Sequence, residues 1–245
     1  MKYAIISDIH GNLEALGVAL KEIKNEGVKY IFSAGDIVGY GANPEECIKL
    51  IRTKGISSVI GNHDYAINNV SEEELFNSYA RLAIQWTRNI LSEDAKNFLN
   101  SLPFSLIEED FTVFHGTLDE ESPFNYILMP IDSELSFQNL TTQVGFFGHS
   151  HVAGCFVMNE NGIISYRSGI IDCEISIKEG NRYLINVGSV GQPRDGNPNG
   201  AFAIFDTDRR TVHIKRFAYD IEKTSKKIID AGLPRFLAER LFEGV

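Results

Sequence analysis

The chain has 245 residues, 43% hydrophobic and 23% charged, with a formal net charge of -10 from 33 acidic and 23 basic side chains. That balance supplies a core for an α/β protein and is compatible with a single domain over 1–245. It offers no basic stripe for nucleic-acid phosphates and no stretch with the apolar length of a membrane span, so neither stable nucleic-acid binding nor a membrane role is expected.

In chain order, Tyr3 to Ser7 reads as a buried strand, entered without the basic flank and long apolar region of a signal peptide. Asn12 is placed to cap a helix whose Leu13, Leu16, Leu20 and Ile23 form one stripe, ending near Gly27. Tyr30 to Ala34 is a second strand, Asn43-Pro44-Glu45-Glu46 starts a second helix, and Ser57 to Ile60 is a third strand. Ser71 to about Asn100 reads as a helical insertion that roofs the first third, with a capping box at Ser71 and Glu74. Its stripe of Leu75, Tyr79, Leu82, Trp86 and Ile90 is expected to pack in a core. After Pro103 the pattern turns to strands near 104–108, 111–114, 143–147, 152–158, 162–167, 174–178, 182–187, 201–206 and 211–217, with a loop-rich stretch over 116–140 and a helical tail from Tyr219. Cys47, Cys155 and Cys173 form an odd, widely spaced set, which argues against disulfides or a thiolate metal site and for a reducing, cytoplasmic setting.

Five of the six histidines fall in short cassettes rich in Asp, Asn and Gly: Asp8-Ile9-His10, Gly61-Asn62-His63-Asp64, Phe114-His115-Gly116 and Gly148-His149-Ser150-His151. Gly35-Asp36 adds a carboxylate. The first cassettes lie just past the carboxyl ends of strands, where open α/β sheets place their ligand crevices. Two residues apart at a strand end, Asp8 and His10 project to the same side, as do His149 and His151. The donors are nitrogen and oxygen without sulfur, which suits Mn, Fe, Zn or Ni. His213 has no such neighbours and reads as a surface histidine, and Asp172 and Glu174 read as solvated.

In order and spacing these cassettes resemble the calcineurin-like metallophosphoesterase superfamily, whose pattern is D-x-H, G-D, G-N-H-[DE], an isolated H and G-H-x-H. The run Asn186-Val187-Gly188-Ser189-Val190-Gly191-Gln192-Pro193-Arg194-Asp195 is similar to a later signature of its small prokaryotic members. The resemblance implies an α/β/β/α sandwich of two mixed sheets flanked by helices. It further implies that Asp8, His10, Asp36 and His151 hold one metal ion and that Asp36, Asn62, His115 and His149 hold the other, with Mn the expected activator in vitro. Two such cations can hold a bridging hydroxide and stabilise in-line displacement at phosphorus. His63 matches the superfamily's non-liganding histidine, which protonates the leaving oxygen or positions phosphate, with Asp64 or a backbone carbonyl to orient it.

One departure narrows the substrate. The superfamily's protein phosphatases read G-D-x-x-D-R-G where this chain has Gly35-Asp36-Ile37-Val38-Gly39-Tyr40-Gly41, so the second Asp and the phosphate-binding Arg are missing. Arg194 is the candidate to replace that Arg, and Tyr40 a candidate to stack on a substrate ring. The expected activity is hydrolysis of small phosphodiesters or phosphomonoesters. A dinucleoside polyphosphate such as diadenosine tetraphosphate is the alternative substrate, and a non-catalytic scaffold of the same fold is the alternative of another class. The expected partner is a small phosphate ester or nucleotide; a homo-oligomer is compatible with the sequence.

Overall fold

A computed structural model describes residues 1–168 and 174–245. Strands β1 (Lys2–Ile6), β2 (Tyr30–Ser33) and β3 (Ser57–Ser58) alternate with helices α1 (Leu13–Asn25) and α2 (Pro44–Thr53). Then come α3 (Asn62–Asn68), a 3-10 turn (Val70–Leu75), α4 (Ser78–Ile90) and α5 (Glu93–Asn100). Strands β4 (Ser105–Ile107) and β5 (Phe111–Phe114) precede a long loop that ends in a 3-10 turn (Pro130–Ser133) and α6 (Glu134–Asn139). The remaining strands are β6 (Val144–Phe147), β7 (Gly154–Met158), β8 (Ile164–Ser168), β9 (Glu174–Ser176), β10 (Arg182–Asn186), β11 (Gly200–Asp206) and β12 (Thr211–Phe217). Helices α7 (Ile221–Asp230) and α8 (Arg235–Glu239) follow.

Two six-stranded mixed sheets result, ordered β3-β2-β1-β11-β12-β9 and β4-β5-β6-β10-β7-β8. Period-2 alternation divides each strand between two layers. Ile5 of β1 joins Phe32, Phe111, Phe146, Ile185 and Phe205 between the sheets, whereas Ala4 and Ile6 face Leu16, Ile23 and Ile51 of the flanking helices. On the second sheet Phe114, Phe147, Phe156 and Leu184 turn outward against Phe137 of α6. The expected α/β/β/α sandwich is therefore observed.

Parallel pairing fixes where the cassettes meet. β1, β2 and β3 run parallel in one sheet, and β5, β6 and β10 run parallel in the other. The segments leaving their carboxyl ends carry Asp8, Asp36, Asn62, His115, His149 and Arg194. Asn12 caps α1 by accepting from Ala15 N–H at 3.0 Å and donates to Gly191 C=O at 2.8 Å, which ties this edge to the 186–195 run.

Three expectations fail in the helical insertion and at its border. β3 stops at Ser58 because Ile60 N–H bonds to Pro103 C=O, at 2.8 Å, instead of continuing along β2. The single helix is broken: Ser71 lies inside the 3-10 turn and caps nothing, while Asn77 and Ser92 cap α4 and α5. The apolar stripe is not core, since Leu75, Tyr79, Leu82 and Ile90 are 81%, 44%, 52% and 47% exposed. α4 buries Ala80, Ala83, Ile84 and Thr87 instead. Elsewhere, His213 is half-buried in β12 with its Nε2 enclosed and unpartnered, not a surface residue. Glu174 is exposed as expected; Asp172 and Cys173 lie outside the described residues.

Candidate metal centre

Asp8, His10, Asp36, His115, His149 and His151 are all buried to 5% exposure or less, although they start from separate parts of the chain. Their donor atoms form two groups, Asp8-His10-Asp36-His151 and Asp36-His115-His149, each with all atoms within 4.8 Å of one another. Asp36 belongs to both: its Oδ2 lies 3.6 Å from His10 Nε2 and 3.4 Å from His115 Nε2. Asn62 Oδ1 joins the second group, 3.0 Å from His115 Nε2.

The backbone is bent to achieve this. Asp8, His10, Asp36, Tyr40, His149 and His151 all have φ between 50° and 68°, the left-handed region that side chains avoid. Such conformations persist only where the surroundings over-determine them, and they gather at functional sites. The adjoining glycines make room. A Cβ on Gly61 would land on Asp36 Oδ1, and one on Gly148 would land on Ser7 Oγ and Asp8 Oδ2. Gly148→Ala is thus expected to dislodge the Asp8 carboxylate and lower metal affinity about 10- to 100-fold, read as metal content after dialysis, while circular dichroism stays native. Undiminished metal retention would remove Asp8 from the centre.

Hydrogen bonds set the tautomers. His10 Nδ1 faces Val38 C=O at 3.1 Å, His115 Nδ1 faces Ala34 C=O at 2.7 Å and His151 Nδ1 faces Gln192 C=O at 2.5 Å. Each Nδ1 must carry the proton to donate to its carbonyl, which leaves Nε2 as the inward, liganding nitrogen, a free lone pair in His10 and His151. His10 Nε2 and His151 Nε2 then confront each other at 3.0 Å, with Asp8 Oδ1 3.3 Å from the latter. Burial holds both imidazoles well below their ordinary pKa, so neither takes up a second proton to relieve the contact. Facing lone pairs beside a carboxylate are what a cation needs, and this donor set fits a transition metal. In the second group burial opposes the charged form of His115, but the Asp36 carboxylate outweighs it and raises the pKa to about 9, so without metal its Nε2 carries a proton in the place a cation would take. Burial would likewise raise Asp36, yet the surrounding histidines hold it far below the ordinary carboxylate range.

A model of the calcineurin-like phosphoesterase superfamily domain matches residues 1–210. The chain belongs to that superfamily. A metallophosphoesterase from Sphaerobacter thermophilus superposes with a TM-score of 0.86 at 38% identity, covering 100% of both chains. An uncharacterized protein of Methanocaldococcus jannaschii is 42% identical over 98% of this chain and 97% of its own length. A hypothetical protein of Pyrococcus horikoshii shares the fold with a TM-score of 0.76 at 18% identity, over 100% of this chain and 98% of that one.

The remaining candidates of this superfamily member surround the cluster in different ways. His63 is 3% exposed, its ring packed against His10, Tyr40 and Phe76 with centroids 4.8, 4.5 and 4.9 Å away. Its backbone N–H donates to Asp36 Oδ1 at 2.9 Å, but its Nδ1 is buried without a partner. Neither Asp64 nor a carbonyl orients this imidazole. Asp64 accepts from Ile37, Val38 and Gly61 N–H at 3.1 to 3.2 Å, which makes it the organiser of the turn that carries Asp36. Burial and the Asp36 charge raise its pKa to about 7.

Tyr40 lines the cavity beside the cluster but is only 6% exposed, enclosed by residues of α4 and the C-terminal helices, so it has no open face for a substrate ring. Arg194 reaches the same cavity, its guanidinium 5.4 Å from the centre of the Tyr40 ring and bonded to Gln192 Oε1 at 2.8 Å. Neighbouring Asp195 pairs with Arg216. Two aromatic residues were missed by the sequence reading: Tyr126 stacks on His149, and Phe124 stands edge-on to His115. Both lie in the long loop after β5, where no periodicity marks them. No helix among the described residues is long and apolar enough to cross a membrane.

Proposed function

We propose that this chain hydrolyses small phosphate esters at a centre of two transition-metal ions. One ion is held by Asp8, His10, Asp36 and His151, the other by Asp36, Asn62, His115 and His149. The observation that supports this most directly is the carboxylate of Asp36, shared by two buried donor groups, in the first of which two imidazole nitrogens face each other at 3.0 Å. Bound ions would supply the activated nucleophile and the charge that stabilises the phosphoryl group, a contribution of several kcal/mol.

The chain's own groups do the rest. Asp36 sets the spacing of the two donor groups, and the carbonyls of Ala34, Val38 and Gln192 keep three imidazoles in the liganding tautomer. Arg194 binds a non-reacting phosphoryl oxygen, offsetting the repulsion of an anionic substrate by a net charge of -10. His63 lines the cavity next to Asn62 and His149; burial lowers its pKa to about 4, so it stays neutral and its ring N–H positions the phosphoryl group or the leaving oxygen by a hydrogen bond. The cavity, about 190 Å³, is smaller than the roughly 300 Å³ at which pockets begin to enclose drug-sized ligands, which favours small esters over a fully enclosed dinucleoside polyphosphate.

The test combines metal analysis of the purified protein with rates on p-nitrophenyl phosphate, bis(p-nitrophenyl) phosphate and diadenosine tetraphosphate in Mn, Fe, Zn and Ni. About two metal ions per chain are expected, with hydrolysis of the small esters abolished by chelation. Full turnover by demetallated protein would end this reading.

A further inference from the structure

Tyr126 lies flat on the His149 ring, with centroids 3.9 Å apart and planes 17° from parallel. His149 turns its Nδ1 toward His115 Nε2, 3.1 Å away, while its own Nε2 is buried with no hydrogen-bond partner. The other imidazoles of the two donor groups are steered by carbonyls; this one is held by stacking. Tyr126 nevertheless remains 48% exposed after covering His149.

The rim around it has the same character. Leu75, from the 3-10 turn, is 81% exposed and lines the same cavity, with the half-buried Phe76 and Phe124 beside it. Large apolar side chains left open around a polar centre cost solvation free energy unless something covers them, and a cluster of them at a cleft marks a ligand surface. Asn62, His63 and His149 form the inner wall of this cavity and the exposed Tyr126 and Leu75 its outer wall, so an ester with its phosphoryl group at the donor atoms lays its organic part along this rim. Glu72 also lines it, and its carboxylate disfavours a second anionic group there.

Building on the phosphoesterase reading above, we propose that Tyr126 is a specificity-determining residue: its open surface is the platform for an uncharged aromatic substituent of the phosphate ester, whose phosphoryl group sits in the enclosed part of the cleft. The substrate class is therefore aryl or nucleobase-bearing phosphate esters, in preference to alkyl esters or to esters with a second phosphate near the ring.

The test needs binding as well as turnover. Phenylphosphonate and methylphosphonate are titrated calorimetrically into manganese-loaded protein, and the wild type is expected to bind the phenyl compound about three- to tenfold tighter, the range for one aromatic stacking contact. Tyr126→Ala should bring the two affinities within about twofold, whereas Tyr126→Phe and Tyr126→Trp should preserve the preference. In kinetics, phenyl and methyl p-nitrophenyl phosphate share one leaving group, and Tyr126→Ala should raise KM several-fold more for the phenyl diester. Equal phosphonate affinities in the wild type would overturn the proposal. So would a Tyr126→Ala variant that weakens both ligands alike, since Tyr126 would then only position His149. A wild type that prefers phenylphosphonate but hydrolyses no ester in any metal would sink the phosphoesterase reading and leave this one standing.

Discussion

Asp36→Asn is expected to lower phosphate-ester turnover about a thousandfold and to reduce the metal content to one ion per chain or fewer, while the protein stays folded. The size follows from removing the one charged group common to both donor sets, worth about 4 kcal/mol where two ions act together. Asparagine keeps an oxygen for the His63 N–H, now held by Asp36 Oδ1 at 2.9 Å, so the local backbone survives. Its amide can donate to the lone pairs of His10 Nε2 or His115 Nε2, which lie 3.6 and 3.4 Å from the carboxylate. A neutral hydrogen bond then replaces the attraction for a cation. Stability of the metal-free protein should fall, because Asp36 is the charge that pairs with the buried His115. Wild-type turnover with two bound ions would show that the carboxylate is not shared.

Metal loading should raise the melting temperature by about 10 to 20 °C. Folding without cations buries Asp8 and Asp36 at 0% and 1% exposure among imidazoles of which His10 and His151 turn lone pairs toward each other. An ion at a hundred times its dissociation constant contributes about 2.7 kcal/mol, hence about 5 kcal/mol for two. For a chain of this length each kcal/mol moves the midpoint by roughly 2 to 4 °C. Differential scanning calorimetry across a manganese titration, starting from chelator-treated protein, would measure this. Midpoints that fail to move through saturation would mean that the clustered donors do not bind metal.

Much of the fold was legible because the signals were local. Buried strands such as Tyr3-Ala4-Ile5-Ile6 carry their own pattern, and Asn12 announces α1 with a side chain that does cap it. The ligand candidates were legible because a left-handed turn packed against glycine leaves a written trace, as in Gly35-Asp36 and Gly148-His149. The insertion misled for a physical reason. On α4 two stripes share the same helical spacing, Tyr79-Leu82-Trp86 and Ala80-Ala83-Thr87, and the smaller side chains win the interior because they allow close packing. Hydrophobicity alone selects the wrong one. Tyr126 was invisible for a different reason: its importance comes from contact with His149, 23 positions further on, through a loop without periodicity.

The six φ values between 50° and 68° carry an evolutionary consequence. Each costs an ordinary side chain roughly 1 to 2 kcal/mol that glycine would not incur. A descendant released from its chemistry could therefore become sturdier simply by letting glycine drift into those places. Persistence of aspartate and histidine there across a lineage would be the mark of selection for work over durability, and their replacement by glycine the signature of retirement.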